Sequence, residues 1–272
     1  MRWHAQPGQK ITVDGVGLEV ACYGPPPGKA PTLVMLHEGL GCVALWRDVP
    51  QQLSEATGLG VFVYSRRGYG ASEAGNAPYA TDYMTREAED VLCKVLNAAG
   101  LGDVILLGHS DGASIACIYA GSVSDMRVRG LILIAPHFFV EPAGLAAIRQ
   151  AGDDFRSGDL RAKLARYHDH VDDVFYGWHD VWTSPAFGNW NVADAIDHLR
   201  IPVLAIQGRS DPYGTLAQID EIEARIYSPL ETLVLEGCGH APHLEHRGAT
   251  AQAITEFCAR LIRLEQATIA LA

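Results

Sequence analysis

The sequence predicts an α/β architecture: a mostly parallel, doubly wound sheet with an antiparallel leading hairpin and a helical cap insertion. Three observations predict it. Short apolar runs alternate with longer segments of helical period, the runs are apolar on both faces, and one long aromatic interval breaks the alternation. Strands apolar on both faces suit a parallel sheet covered by helices on either side.

The elements follow in order. Lys10–Tyr23 carries Ile-Thr-Val, then Asp14-Gly15, then Leu-Glu-Val-Ala-Cys-Tyr, which reads as an antiparallel hairpin at one edge. Core strands are expected at Thr32–Leu36, Val61–Tyr64, Val104–Leu107, Leu131–Ala135, Val203–Ile206 and Thr232–Leu235. Helices are expected at Leu45–Ala56, Tyr83–Ala98, Ala113–Ala120, Leu216–Ile226 and Thr250–Leu264. Gly58 and Gly100 stand where helix C-termini favour a residue tolerant of positive φ. Right-handed crossovers then wind the helices onto both faces.

From His137 to Leu199 the rhythm stops, and ten of the chain's 22 Phe, Tyr and Trp residues fall there. With no strand-like run, this interval reads as a helical cap over the sheet's carboxyl edge. The expected division is therefore a core of residues 1–136 and 200–272 with a cap of 137–199.

The chain has 272 residues, 48% apolar and 19% charged, enough apolar side chain for a large core, which excludes intrinsic disorder. Twenty-one Lys and Arg against thirty-two Asp and Glu give −11, with no basic stretch, which argues against nucleic acid as a partner. No apolar run reaches the roughly 18 residues needed to cross a bilayer as a helix, so no membrane association is expected. Met1–Lys10 lacks the apolar centre of a signal peptide. Six scattered cysteines form no C-x-x-C pair and read as free, mostly buried thiols in a reducing cytoplasm.

Gly108-His109-Ser110-Asp111-Gly112 matches G-x-S-x-G and sits between an expected strand and an expected helix. A strand–turn–helix of this kind holds a serine at a sharp bend, lifting its hydroxyl clear of the sheet. A serine hydroxyl needs a base to take its proton and an acid to orient that base. Asp211 and His240 follow in the order this elbow requires, each in a loop at the carboxyl end of a strand. Ser110 is therefore the candidate nucleophile, His240 the base and Asp211 the orienting acid. His243 could replace His240 and Glu141 could replace Asp211. His243 and His246 otherwise read as solvated or helix-capping, and His109 as a side chain that packs or bonds locally. His168 and His170 would share a metal only on a strand, so no metal site is expected.

The loop His37-Glu38-Gly39-Leu40-Gly41 follows the first core strand, and Ser65-Arg-Arg-Gly-Tyr-Gly-Ala-Ser72 follows the next. With Gly108–Gly112, Asp211 and Gly239-His240, these landmarks run along nearly the whole chain, which resembles the α/β-hydrolase superfamily, most closely its small capped bacterial esterases. The resemblance implies that an amide of the His37 loop joins the Asp111 N–H in holding an oxyanion. Glu38 stands where the family pattern has glycine, so Gly39 is the favoured donor, with Glu38 or Leu40 as the alternatives. Glu38 is either a structural carboxylate or a group that positions substrate or water. Asp111, one residue past the nucleophile, is expected to turn its side chain elsewhere. Arg66 and Arg67 read as ion-pairing turn residues.

Serine, imidazole, carboxylate and two oxyanion donors perform acyl transfer. The expected substrate is a small, partly apolar or aromatic ester, with Glu38, Phe138, Trp178, Trp182 and Trp190 as candidate substrate contacts. No cofactor is implied, since no phosphate or nucleotide fingerprint occurs. A lactonase, an amidase or a carbon–carbon bond hydrolase of aromatic degradation would use the same chemistry, and a slow-turnover ligand receptor would use the same fold.

Overall fold

The computed structural model describes Trp3 and residues 8–28, 30–75 and 77–271, with backbone alone for 265–271. Most of the amino-terminal segment considered above for a leader lies outside the described residues. Eight strands form one sheet in the order β1-β2-β4-β3-β5-β6-β7-β8. They are β1 Lys10–Val13, β2 Val16–Tyr23, β3 Thr32–Leu36, β4 Val61–Tyr64, β5 Val104–His109, β6 Val128–Ile134, β7 Val203–Gly208 and β8 Leu230–Leu235. β1 and β2 form the leading hairpin, β2 joins β4 antiparallel, and every later pairing is parallel.

β3, β4, β5 and β7 are buried along their whole length, which accounts for their unbroken apolar character. Alternate side chains feed two cores. Val34, Leu36, Phe62 and Leu106 enter one, and Leu33, Met35, Val61, Val63 and Leu107 the other. Burying each such side chain contributes about 1.5–3 kcal/mol relative to exposure.

The helices are α1 Val49–Thr57, α2 Tyr83–Arg86, α3 Cys93–Ala98, α4 Asp111–Ser122, α5 Pro142–Ser157, α6 Leu160–Leu164, α7 Val171–Thr183, α8 Asp194–Asp197, α9 Ala217–Arg225, α10 Pro242–Glu245 and α11 Arg247–Leu271. The helix expected over Leu45–Ala56 is divided. Val43–Trp46 is a 3₁₀ turn, Arg47 takes φ 55°, and α1 begins with Pro50 in its first turn. Proline lacks an N–H and suits that position, so the helical pattern restarts there. Gly58 closes α1 at φ 71° and its N–H bonds Ser54 O. Tyr83–Ala98 is helical throughout, with Glu87–Leu92 in π-helical form between α2 and α3. An apolar period does not distinguish the two hydrogen-bond patterns.

Helices α5 to α8 lie between β6 and β7, in a stretch that carries the isolated bridge Phe139–Asn191. α5 packs on α7 through Phe155 and Phe175, stacked with ring centroids 3.7 Å apart. α8 lies instead against α4 and α9. Among the described residues no helix is long and apolar enough to cross a membrane. None of the six cysteines forms a disulfide, and Cys93 alone among them is not fully buried.

Two glycines make the crossing of β5, α4 and β3 possible. A Cβ on Gly108 would lie 2.2 Å from Gly112 O, and one on Gly112 would lie 2.1 Å from Leu36 O. Both obstacles are backbone and have no rotamer to yield. Gly112→Ala is therefore expected to cost about 3 kcal/mol or more and to lower Tm by roughly 5 °C or more, measured by calorimetry on the purified protein.

Candidate active site

Ser110 sits between β5 and α4 at φ 54° and ψ −121°. A non-glycine residue in this region is strained, and it persists only where packing over-determines it. Here the glycine contacts above pin both flanks, and Ser110 N–H bonds Ile134 O at 2.9 Å. The bend places Ser110 Oγ 2.9 Å from His240 Nε2. His240 Nδ1 lies 2.7 Å from Asp211 Oδ2. With Nδ1–H donating to the carboxylate, Nε2 is left to accept from the serine hydroxyl.

Asp211 is held on both oxygens. Oδ2 also accepts from Gln207 Nε2 at 2.9 Å, and Oδ1 accepts from Tyr213 N–H at 2.8 Å. Burial alone would raise its pKa, but the bonds from His240 and the Tyr213 amide outweigh it and hold the carboxyl below its ordinary value. The loop carrying His240 closes on β7, where a Cβ on Gly208 would come within 2.1 Å of Gly239 O. The alternatives lie elsewhere. Glu141 accepts from Thr215 and Gln218, away from His240. His243 is buried against Trp46 and His109, with centroids 4.9 and 4.6 Å away. It is not the solvated or capping side chain expected, because α10 turns it inward. His109 also departs from a local role: its Nε2–H donates to His240 O at 2.7 Å, bracing the base from the residue beside the nucleophile.

The His37 loop is fixed from below. His37 Nδ1–H donates to Glu38 O at 2.7 Å while Nε2 accepts from Arg66 N–H at 3.0 Å. Arg66 is buried and donates to His37 O at 2.6 Å and Glu38 O at 3.1 Å. It clamps these carbonyls and also makes the ion pair expected of it, with Asp111 at 4.0 Å. Its neighbour Arg67 donates to Ala74 O. His168 straps the same loop, accepting from Gly70 N–H at 2.9 Å and donating to Leu40 O at 3.0 Å, which uses both its nitrogens.

Gly39 lines the cavity, and a Cβ there would lie 2.3 Å from Trp178 Nε1, so the indole demands glycine. The Asp111 amide heads α4, where helix N–H groups have no intrahelical acceptor. The Asp111 side chain does not turn away. It is buried at the site, accepts from Tyr83 OH, and Tyr83 in turn accepts from Trp182 Nε1 at 3.0 Å. Burial raises its pKa despite Arg66 and Tyr83. Glu38 lines the cavity with Oε2 3.5 Å from His109 Nδ1, and despite its burial the His109 imidazole holds its pKa well below the carboxylate range.

The cavity encloses about 200 Å³. Ser110, His240, Glu38, Gly39, Asp111, Trp178 and Trp182 all line it. Phe138 and Trp190 do not. Phe138 is fully buried in the core with its N–H bonded to Gln218 Oε1, because adjacent side chains point to opposite sides and its predecessor His137 takes the cavity position. Trp190 stacks on Phe187 at 5.1 Å and backs Trp182 from behind. Sequence reasoning missed His137, Ile148 and Tyr213. His137 carried a usable signal, as a polar residue just past the carboxyl end of a core strand.

The comparisons with known proteins agree with this fold. A model of the "Alpha/beta hydrolase family" matches residues 33–253. Over 101 residues the chain is 32% identical to a proline iminopeptidase of Lactobacillus delbrueckii subsp. lactis, covering 37% of this chain and 34% of that protein. The chain thus spans about a third of the length of the curated relatives it first matches. Its fold is similar to a structure reported with carboxylesterases of Nitrososphaera gargenis, with TM-score 0.74, 20% identity and coverage of 95% and 98% of the two chains. It is also similar to proline iminopeptidase of Mycobacterium smegmatis, with TM-score 0.73, 18% identity and coverage of 93% and 98%.

Buried imidazoles bear on the acid stability, His168 among them, whose pKa burial also lowers. Burial holds His37 and His243 well below the ordinary value, and burial together with repulsion from His240 brings His137 down to about 3. Unfolding lets each bind a proton near the free value of about 6.5. The stability from their neutral burial is therefore complete above that pH and is lost as pH falls from it toward the folded values. Urea unfolding between pH 7.5 and 5 should show ΔG falling with a slope to which His37, His137 and His243 contribute up to about 4 kcal/mol per pH unit, three protons' worth, and His243→Phe should remove about a third of that contribution.

Proposed function

Because the chain belongs to the alpha/beta hydrolase family, we propose that it is a serine hydrolase that cleaves small carboxylic esters through an acyl-enzyme. The observation that carries this reading is the continuous line from Ser110 Oγ to His240 to Asp211, at 2.9 and 2.7 Å, on the wall of the cavity. Helices α5 to α7 serve as the cap over that cavity, with Trp178 and Trp182 as its apolar lining. Six cysteines with no disulfide among them suit a reducing compartment such as the cytoplasm.

The reaction follows from the geometry. His240 takes the Ser110 proton as Oγ attacks the carbonyl carbon, and Asp211 stabilises the imidazolium without taking its proton. The oxyanion points to the Gly39 and Asp111 amides, each worth roughly 2.7–4 kcal/mol to the transition state. The imidazolium then protonates the leaving alcohol. Water, deprotonated by His240, attacks the acyl-enzyme, the acid is released and Ser110 regains its proton.

A fluorophosphonate probe should label Ser110, and short p-nitrophenyl esters should be turned over. Ser110→Ala should lose the label and lower kcat by about 10⁶, while Asp211→Asn should lower kcat by about 10⁴ with the fold intact. Intact-mass spectrometry and steady-state kinetics check both; unlabelled wild-type protein with no ester turnover overturns the reading.

A further inference from the structure

Beside the triad, the cavity wall presents a built polar group of unassigned purpose, the imidazole of His137. It is 4% exposed and lines the cavity, and no described residue hydrogen-bonds either ring nitrogen. Trp182 meets it edge-on at 5.3 Å, and the His240 ring lies 5.7 Å away. Its backbone is fixed on both sides: Ser114 Oγ donates to His137 O at 2.6 Å, and the following amide donates to Gln218 Oε1 at 2.7 Å. Gly214 closes over the ring, since a Cβ there would lie 3.0 Å from His137 Cε1. A polar ring held by so well fixed a backbone, with its nitrogens open to the cavity and unbonded by any described residue, is available to a ligand atom.

Its chemistry restricts that atom. Burial and His240 keep the ring neutral, leaving one N–H donor and one acceptor nitrogen. The carboxylates of Glu38 and Asp111 belong to the same wall, which disfavours an anion. A neutral hydroxyl satisfies either nitrogen. Position restricts it further. In the proposed reaction the carbonyl oxygen turns toward Gly39 and Asp111, so the leaving oxygen turns toward His240 to receive its proton. His137 neighbours His240, and so neighbours the leaving alcohol.

We propose that His137 is a specificity-determining residue of this hydrolase, hydrogen-bonding a second hydroxyl on the leaving alcohol, so that monoesters of small diols and polyols are its substrate class. This rests on the serine-hydrolase reading. The cavity of about 200 Å³ accommodates a short acyl group with such an alcohol. No proton is transferred at His137; the hydroxyl is held, and the acyl transfer proceeds as above.

The test compares 2-hydroxyethyl acetate with propyl acetate, which differ by a hydroxyl in place of a methyl, by acetate release in a pH-stat. The wild-type enzyme is expected to favour the hydroxyl ester about tenfold in kcat/KM. His137→Phe should bring that ratio to one or below, and His137→Gln, which keeps a neutral donor and acceptor, should restore part of it. Because the ratio is read within each variant, a merely structural loss lowers both rates and leaves it unmoved. A wild-type ratio near one with propyl acetate hydrolysed, or an unchanged ratio in His137→Phe, overturns the role of His137 and leaves the hydrolase standing. Turnover of neither ester, with Ser110 unlabelled by fluorophosphonate, overturns both.

Discussion

The site depends first on the strained backbone at Ser110. A serine at φ 54° is unfavourable alone, and it persists because β5, α4 and the end of β3 meet at backbone distance over Gly108 and Gly112. That close crossing sets where Oγ points and where the α4 amides end. Relaxing the bend would carry the hydroxyl out of reach of His240, which the fold delivers from 130 residues away.

The surroundings of that bend are arranged by buried polar bonds. Arg66 holds carbonyls of the His37 loop, His109 holds the carbonyl of His240, and Gln207 and the Tyr213 amide hold Asp211. Each bond fixes a backbone or a carboxylate whose position the chemistry needs, so little reorganisation remains when charge develops. The same burial keeps His37, His137 and His243 neutral.

The strands, the hairpin edge and the Ser110–Asp211–His240 trio were legible because each is signalled locally: apolar runs for buried strands, glycine pairs for a close crossing, a polar loop at a strand end. The substrate wall was less legible. Phe138 was the natural choice beside β6, yet its neighbour His137 faces the cavity, since a difference of one residue reverses the side of the chain. Trp178 and Trp182 reach the cavity while Trp190 backs them, a distinction that aromatic content alone does not contain.

By itself the sequence determined the fold class and picked out the serine, carboxylate and imidazole that the fold brings together, because periodicity and turn chemistry are properties of short segments. Only the tertiary structure decided the inward turn of His243, the Arg66 clamp, the burial of the Asp111 carboxylate and the freedom of the His137 ring. Those depend on which distant segments share a surface, and burial and hydrogen-bond satisfaction exist only once the segments are packed together.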